Sequence, residues 1–233
     1  MTVDPLVLMT DVEQAIERLL RTAKEMDDAA VGGPSLLPGW SRGHVLTHLA
    51  RQADAMTNLL TWARTGVETP GYPSPRARVD GIEAGAARPI AEHVADIRGA
   101  HDKMADAAAA MSGEAWTFFI PDRKQPAAAL PWVRLREVEV HHVDLGLAYT
   151  SEDWSDGFAL RLLREIVGGS PAPDMVLRPY GLEHPLTIGT PTDASPTIGG
   201  PTRALAAWLA GRGDGADLTV SPDGKLPTPG AWM

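Results

Sequence analysis

The chain has 233 residues, of which 44% are hydrophobic and 22% charged, enough apolar content for a core in one large domain or two modest ones. Its formal net charge of −9 argues against nucleic acid or an anionic membrane as partner, because both are approached through clustered Lys and Arg. There is no cysteine, so disulfides and a cysteine nucleophile are excluded, and any metal must be held by His, Asp or Glu.

Met1 to Thr10 lacks a basic segment followed by a long apolar run and does not read as a signal peptide. Nowhere do about eighteen apolar residues run together, the length a membrane-spanning helix needs. A soluble, cytoplasmic protein is expected, monomeric or weakly self-associating. Periodicity predicts a first helix from Asp11 to about Asp28, with Val12, Ile16, Leu19, Ala23 and Met26 on one face. The Gly32-Gly33-Pro34 break ends that segment, Ser35 to Trp40 reads as a turn, and Ser41 as an N-cap. A second helix should run from about Arg42 to Arg64, with His48 near its inner stripe of Val45, Leu49, Gln52, Met56, Leu59 and Ala63. A long Pro/Gly-rich connection that includes Pro70 to Pro75 should follow, and the basic clusters Arg76–Arg78 and Arg123-Lys124 read as solvated loops.

A third helix is expected from near Pro89, carrying Ile90, Val94, Ile97, His101, Met104 and Met111. From Pro131 to Leu147 two patterns compete. Val138 and Val140 alternate with Glu137, Glu139 and His141 as in a strand. The length of the segment, its freedom from Gly and Pro before Gly146, and its place after three helices favour a fourth helix of an up-down bundle. After Tyr149 the texture changes. An amphipathic helix covers Phe158 to Val167, Gly168 to Pro173 resembles a linker, and short β-like runs appear at Met175–Arg178, Pro185–Ile188 and Asp217–Val220. A helix from Pro201 to Ala210, closed by Gly211, falls between them. The expected fold class is α+β, a four-helix bundle over residues 1–150 followed by a small α+β domain over 151–233.

Glu137 and His141 are four apart and share one face of a helix, while His48 lies near the inner side of another. Three such ligands would leave a zinc ion an open position, the catalytic pattern. Asp144 stands three residues after His141, placed either to orient that ligand or to pair with an arginine. By spacing alone, however, His48 reads more simply as a satisfied core histidine, and Glu137 and His141 as half-exposed helix residues. His44 lies too close to the helix start to be a favoured ligand. His142 points away from His141 and reads as structural, His93 and His101 as surface or interhelical, and His184 as a loop residue.

Two stretches carry a resemblance. SLLPGWSRGHVLTHLA (Ser35–Ala50) and REVEVHHVDLG (Arg136–Gly146) resemble the signature regions of the mycothiol-dependent maleylpyruvate isomerase family, within the DinB-like metal-dependent superfamily. ARTGVETPGY (Ala63–Tyr72), SPRAR (Ser74–Arg78) and AGRGDG (Ala210–Gly215) are similar to the same family, so the likeness covers nearly the whole chain. The resemblance implies a DinB-like bundle and a divalent ion, zinc or another, on His48, Glu137 and His141, with Arg212 implicated in activity. Glu139 and His142 fall where the family motif has no requirement. The implied cofactors are zinc and mycothiol. The implied reaction is cis-trans isomerisation of maleylpyruvate to fumarylpyruvate, a step of gentisate degradation, by reversible addition of the mycothiol thiolate to the activated double bond. The missing cysteines agree, since such a mechanism must import its sulfur. Arg212 would clamp a substrate carboxylate; it is equally placed to complement the dipole of a helix end. Two rivals are a mycothiol S-transferase acting on another electrophile and a non-enzymatic metal- or ligand-binding module.

Overall fold

The structure, a computed structural model, describes residues 4–169, 172–222, 224–230 and 232. Ser170 and Pro171 of the expected linker, and Met1 to Val3, lie outside the described residues. The chain divides into two compact units, Met1–Ala148 and Tyr149–Met233.

In the first unit, α1 (Pro5–Lys24) starts earlier than its apolar period predicts, because Asp4 accepts from the Leu6 amide and Pro5 occupies the first turn. A short α2 (Asp28–Gly32) follows. Helix α3 (Arg42–Thr65) is opened by a reciprocal cap in which the Ser41 hydroxyl accepts from the His44 amide and His44 Nδ1 accepts from the Ser41 amide. The segment expected to be one long connection contains a further helix, α4 (Pro75–Gly85). The Pro/Gly run extends only to Ser74, whose hydroxyl caps the Ala77 amide while Pro75 supplies a preset first turn. α5 (Ile90–Ala109) begins directly after Pro89. α6 (Gly113–Thr117) and a small antiparallel ribbon, β1 (Phe119–Ile120) with β2 (Gln125–Pro126), lead into α7 (Leu130–Asp144).

Helix α7 resolves the competition between strand and helix. Val138 through Asp144 are all buried, so the apparent alternation belongs to a helix enclosed on nearly every side. Helices α1, α3, α5 and α7 close a ring: α3 packs on α5, α5 on α1, α1 on α7, and α7 on α3. Val12, Ile16 and Leu19 of α1, Val45, Leu49 and Met56 of α3, Ile97 and Met104 of α5, and Val138 of α7 fill its interior. Helix α4 lies against α3 at close range. A Cβ on Gly43 would fall 1.9 Å from the Ala86 carbonyl oxygen, and one on Gly85 would fall 2.5 Å from Thr47 Cγ2. Two glycines therefore set the separation of these helices. No helix among the described residues is long and apolar enough to cross a membrane.

The second unit is built on α8 (Asp156–Gly169), β3 (Met175–Pro179), β4 (Leu186–Ile188), β5 (Thr197–Gly200), α9 (Thr202–Leu209) and β6 (Thr219–Ser221). Its sheet has the order β4-β3-β5-β6, with β3 and β5 parallel and the outer pairs antiparallel. Because β4 runs back to the start of β3, the chain needs only a short return before β5 pairs on β3's other side. Met175, Leu177, Ile188 and Ile198 point inward, and α8 and α9 pack on each other and on the sheet. The sequence reading missed β5, an inner strand. Its TIGG sequence carries two glycines at positions where Cβ atoms would meet Thr219 and Leu218. They suit close strand packing but remove the β-branched pattern by which strands are recognised.

Candidate metal centre

Packing of α3 against α7 brings His48 opposite Glu137 and His141, which stand one turn apart on α7. His48 Nε2 lies 3.0 Å from Glu137 Oε2, and His141 Nε2 lies 3.5 Å from the same oxygen. The two imidazoles meet edge to face with centroids 4.8 Å apart. One donor atom from each of the three residues falls within 4.8 Å of the other two. Both histidines are buried, and the Glu137 side chain keeps 14% of its surface exposed.

The surroundings prepare the donors. Asp144 Oδ2 sits 2.8 Å from His141 Nδ1, an orienting carboxylate that leaves Nε2 turned toward Glu137. Burial alone would raise the Glu137 carboxyl, but hydrogen bonds from His141 and His48 hold it well below the usual carboxylate range. Burial likewise disfavours the His141 cation, yet Asp144 and Glu137 outweigh it and raise the pKa. For His48 burial wins over Glu137, so its pKa is lowered and the ring is neutral. A full negative charge, two convergent imidazole nitrogens and a carboxylate behind one of them fit a divalent cation such as zinc, with ligands of the right kind and a satisfied second layer.

Three further residues frame the cluster, and the sequence reading assigned none of them to it. The Trp40 ring packs against His48, edge on, with centroids 5.7 Å apart, and also stacks on His44. Arg78, expected in a solvated loop, instead lies half-buried on α4 with Nη2 3.4 Å from His48 Nδ1. Its neighbour Arg76 does behave as a surface residue, paired with Asp80. Tyr72 packs against the bundle core, and its electrostatic neighbours include Arg78 and Glu137. Placement of Arg78 depends on the glycine-mediated approach of α4, which no local pattern announces. A half-apolar WSRGH turn preceding His48 was the available signal for Trp40.

The remaining histidines are held elsewhere. His44 caps α3 and approaches Glu83, and His142 Nε2 meets the Thr22 hydroxyl at 2.8 Å. His93 and His101, expected at the surface or between helices, are both buried. His101 reaches across to Glu13 of α1 at 2.5 Å, an interhelical pair. Glu139 pairs with Arg18, and His184 is exposed. Arg212 lies in the second unit. Gly211, in the left-handed region at φ +72°, turns the chain so that the Arg212 amide returns to the Ala207 carbonyl at 2.7 Å, and its Nη1 donates to the Ala210 carbonyl.

A helix bundle that presents two histidines and a glutamate from facing helices defines a class of metal-capable bundle proteins. Residues 12–146, more than half of the chain, match the family described as the mycothiol maleylpyruvate isomerase N-terminal domain. A crystal structure of the mycothiol-dependent maleylpyruvate isomerase is similar over 99% of this chain and 98% of that one, at 29% identity and a TM-score of 0.88. A histidine-to-alanine mutant of the mycothiol-dependent maleylpyruvate isomerase is similar over the same shares, at 28% identity and a TM-score of 0.89. No curated protein matches the sequence. The chain belongs to the mycothiol-dependent maleylpyruvate isomerase family and is an enzyme.

Proposed function

We propose that this enzyme is a zinc-dependent, mycothiol-dependent cis-trans isomerase that converts maleylpyruvate to fumarylpyruvate in the cytoplasm, a step of gentisate degradation. The observation that carries the reading is the convergence of His48, Glu137 and His141 donors within 4.8 Å in a chain that has no cysteine. When bound, zinc supplies the positive charge that keeps a thiol ionised near neutral pH, and mycothiol supplies the sulfur the chain lacks. His48 and His141 each offer a ring nitrogen, and Glu137 offers a carboxylate already ionised by its neighbours. Asp144 holds the His141 ring in one orientation. Trp40 packs its ring against one side of His48. Arg212, matched to the family by its Gly-Arg-Gly setting, is the residue proposed to bind a substrate carboxylate.

Protein purified without chelator is expected to carry stoichiometric zinc, and His48→Ala or His141→Ala to lose most of it. Turnover of maleylpyruvate should depend wholly on added mycothiol. Full-rate turnover in thiol-free buffer would refute the mechanism. Mycothiol-dependent consumption of a different electrophile, with maleylpyruvate untouched, would identify a transferase on the same scaffold. Undiminished zinc in both histidine variants would remove the metal centre.

A further inference from the structure

Arg78 occupies an unusual position for a cation. Its guanidinium is half-buried beside the metal cluster, and among the described residues no carboxylate pairs with it. Its polar neighbours there are a ring nitrogen of His48, at 3.4 Å, and the Tyr72 hydroxyl. Most other arginines of this unit, including Arg51, Arg76, Arg88 and Arg98, are matched to aspartate or glutamate. The contact with His48 also cannot persist once the cluster is loaded. With His48 Nε2 turned to Glu137 and given to a metal, the ring proton must sit on Nδ1, so Arg78 and His48 would face each other as two donors. The guanidinium then needs a new acceptor.

Tyr72 stands in the same place with a complementary need. Its hydroxyl is buried and has no partner at full hydrogen-bonding geometry. Burial raises its pKa, so it remains a phenol able to donate. Arg78 acts on it both as a charge and as a hydrogen-bond donor to its oxygen, Glu137 and Arg123 act as further charges, and Tyr72 in turn acts on the fully buried Arg134. The segment that carries it is fixed to α3: Asn58 Nδ2 donates to the Pro70 and Gly71 carbonyls. A buried donor, an unmatched cation and two further arginines within electrostatic reach make a local positive site on a chain of net charge −9. An anion with planar paired oxygens meets both needs.

We propose that Tyr72 and Arg78 form a carboxylate-binding subsite beside the His48–Glu137–His141 cluster, taking one carboxylate of a small dicarboxylic substrate. The subsite rests on the reading of that cluster as the loaded reaction centre. It assigns specificity for a diacid to the bundle itself, independently of Arg212. Its probe is maleate added without thiol, which has the paired carboxylates, so binding is read in the absence of the proposed reaction.

The experiment is calorimetric titration of maleate into the zinc-loaded full chain, with zinc content and melting temperature measured for every variant. Wild type should bind maleate saturably. Arg78→Ala should weaken binding by about ten- to a hundredfold, on the scale of a lost hydrogen bond to a charged group. Arg78→Lys should recover part of that loss, and Tyr72→Phe should weaken binding severalfold while leaving the ring packed. Absence of saturable binding to wild type overturns the subsite. So does Arg78→Ala binding maleate as wild type does, per zinc retained, which would place the anion on the metal alone. Loss of binding in Arg78→Ala without mycothiol-dependent turnover in wild type would leave the subsite standing and refute the isomerase.

Discussion

Replacing Asp144 by alanine separates His141, a proposed metal ligand, from the group that orients it. Asp144 is 1% exposed, and its Oδ2 lies 2.8 Å from His141 Nδ1, so water cannot readily substitute for it. A hydrogen bond to a charged partner contributes about 1.5–3 kcal/mol. Removal of such an orienting carboxylate lowers metal affinity by about ten- to a hundredfold, or roughly 1.4–2.7 kcal/mol. Zinc affinity of Asp144→Ala, measured by competition with a chromophoric chelator near pH 8, should fall by that amount.

The deficit should also depend on pH, with a defined sign. Asp144 helps raise the His141 pKa, and a proton on His141 competes with the metal. Above the raised pKa, Asp144 favours only the metal-bound state, and the full deficit is seen. Below it, Asp144 stabilises the competing proton as well, so wild type loses affinity sooner than the variant and the two curves converge. An affinity equal to wild type at pH 8, or a gap that widens as pH falls, would refute the assignment of Asp144 as the residue that orients His141.

The close contact of α4 with α3 is tested by Gly43→Ala, whose Cβ would fall 1.9 Å from the Ala86 carbonyl oxygen. Overpacking of this kind costs about 1–3 kcal/mol, and thermal denaturation should show a lower midpoint; an unchanged midpoint would mean that the helices separate freely. Arg212→Ala should lower kcat/KM for maleylpyruvate by about ten- to a hundredfold with zinc content and melting temperature unchanged. Unaltered kinetics with an earlier melt would reduce Arg212 to a residue closing α9, as its bond to the Ala210 carbonyl allows.

Elements with a long apolar period are legible in the amino-acid order alone. The stripes of α1, α3 and α5 mark a bundle because each helix buries one face against two neighbours, and a 3.6-residue repeat is the direct image of that burial. Spacing placed Glu137 and His141 on one face of α7, since a single helical turn fixes that geometry without help from the rest of the fold. Its place near the inner stripe of α3 made His48 a candidate, and family likeness selected it, because no local rule relates positions 89 residues apart.

Tertiary packing decided the rest. Whether residues 137–143 were helix or strand depended on burial from all sides, which erases amphipathic contrast. β5 was invisible because its glycines serve neighbouring strands rather than its own propensity. His101 looked unpaired in sequence, and its carboxylate partner Glu13 arrives from another helix. Arg78 shows the limit most sharply. Its sequence neighbours Arg76 and Asp80 are surface groups, and the same helix carries Arg78 to the His48–Glu137–His141 cluster because Gly43 and Gly85 lack the atoms that would hold α4 away. The sequence determined which residues could share a helix face, and interhelical distance, set by side chains that are absent, decided which of them meet.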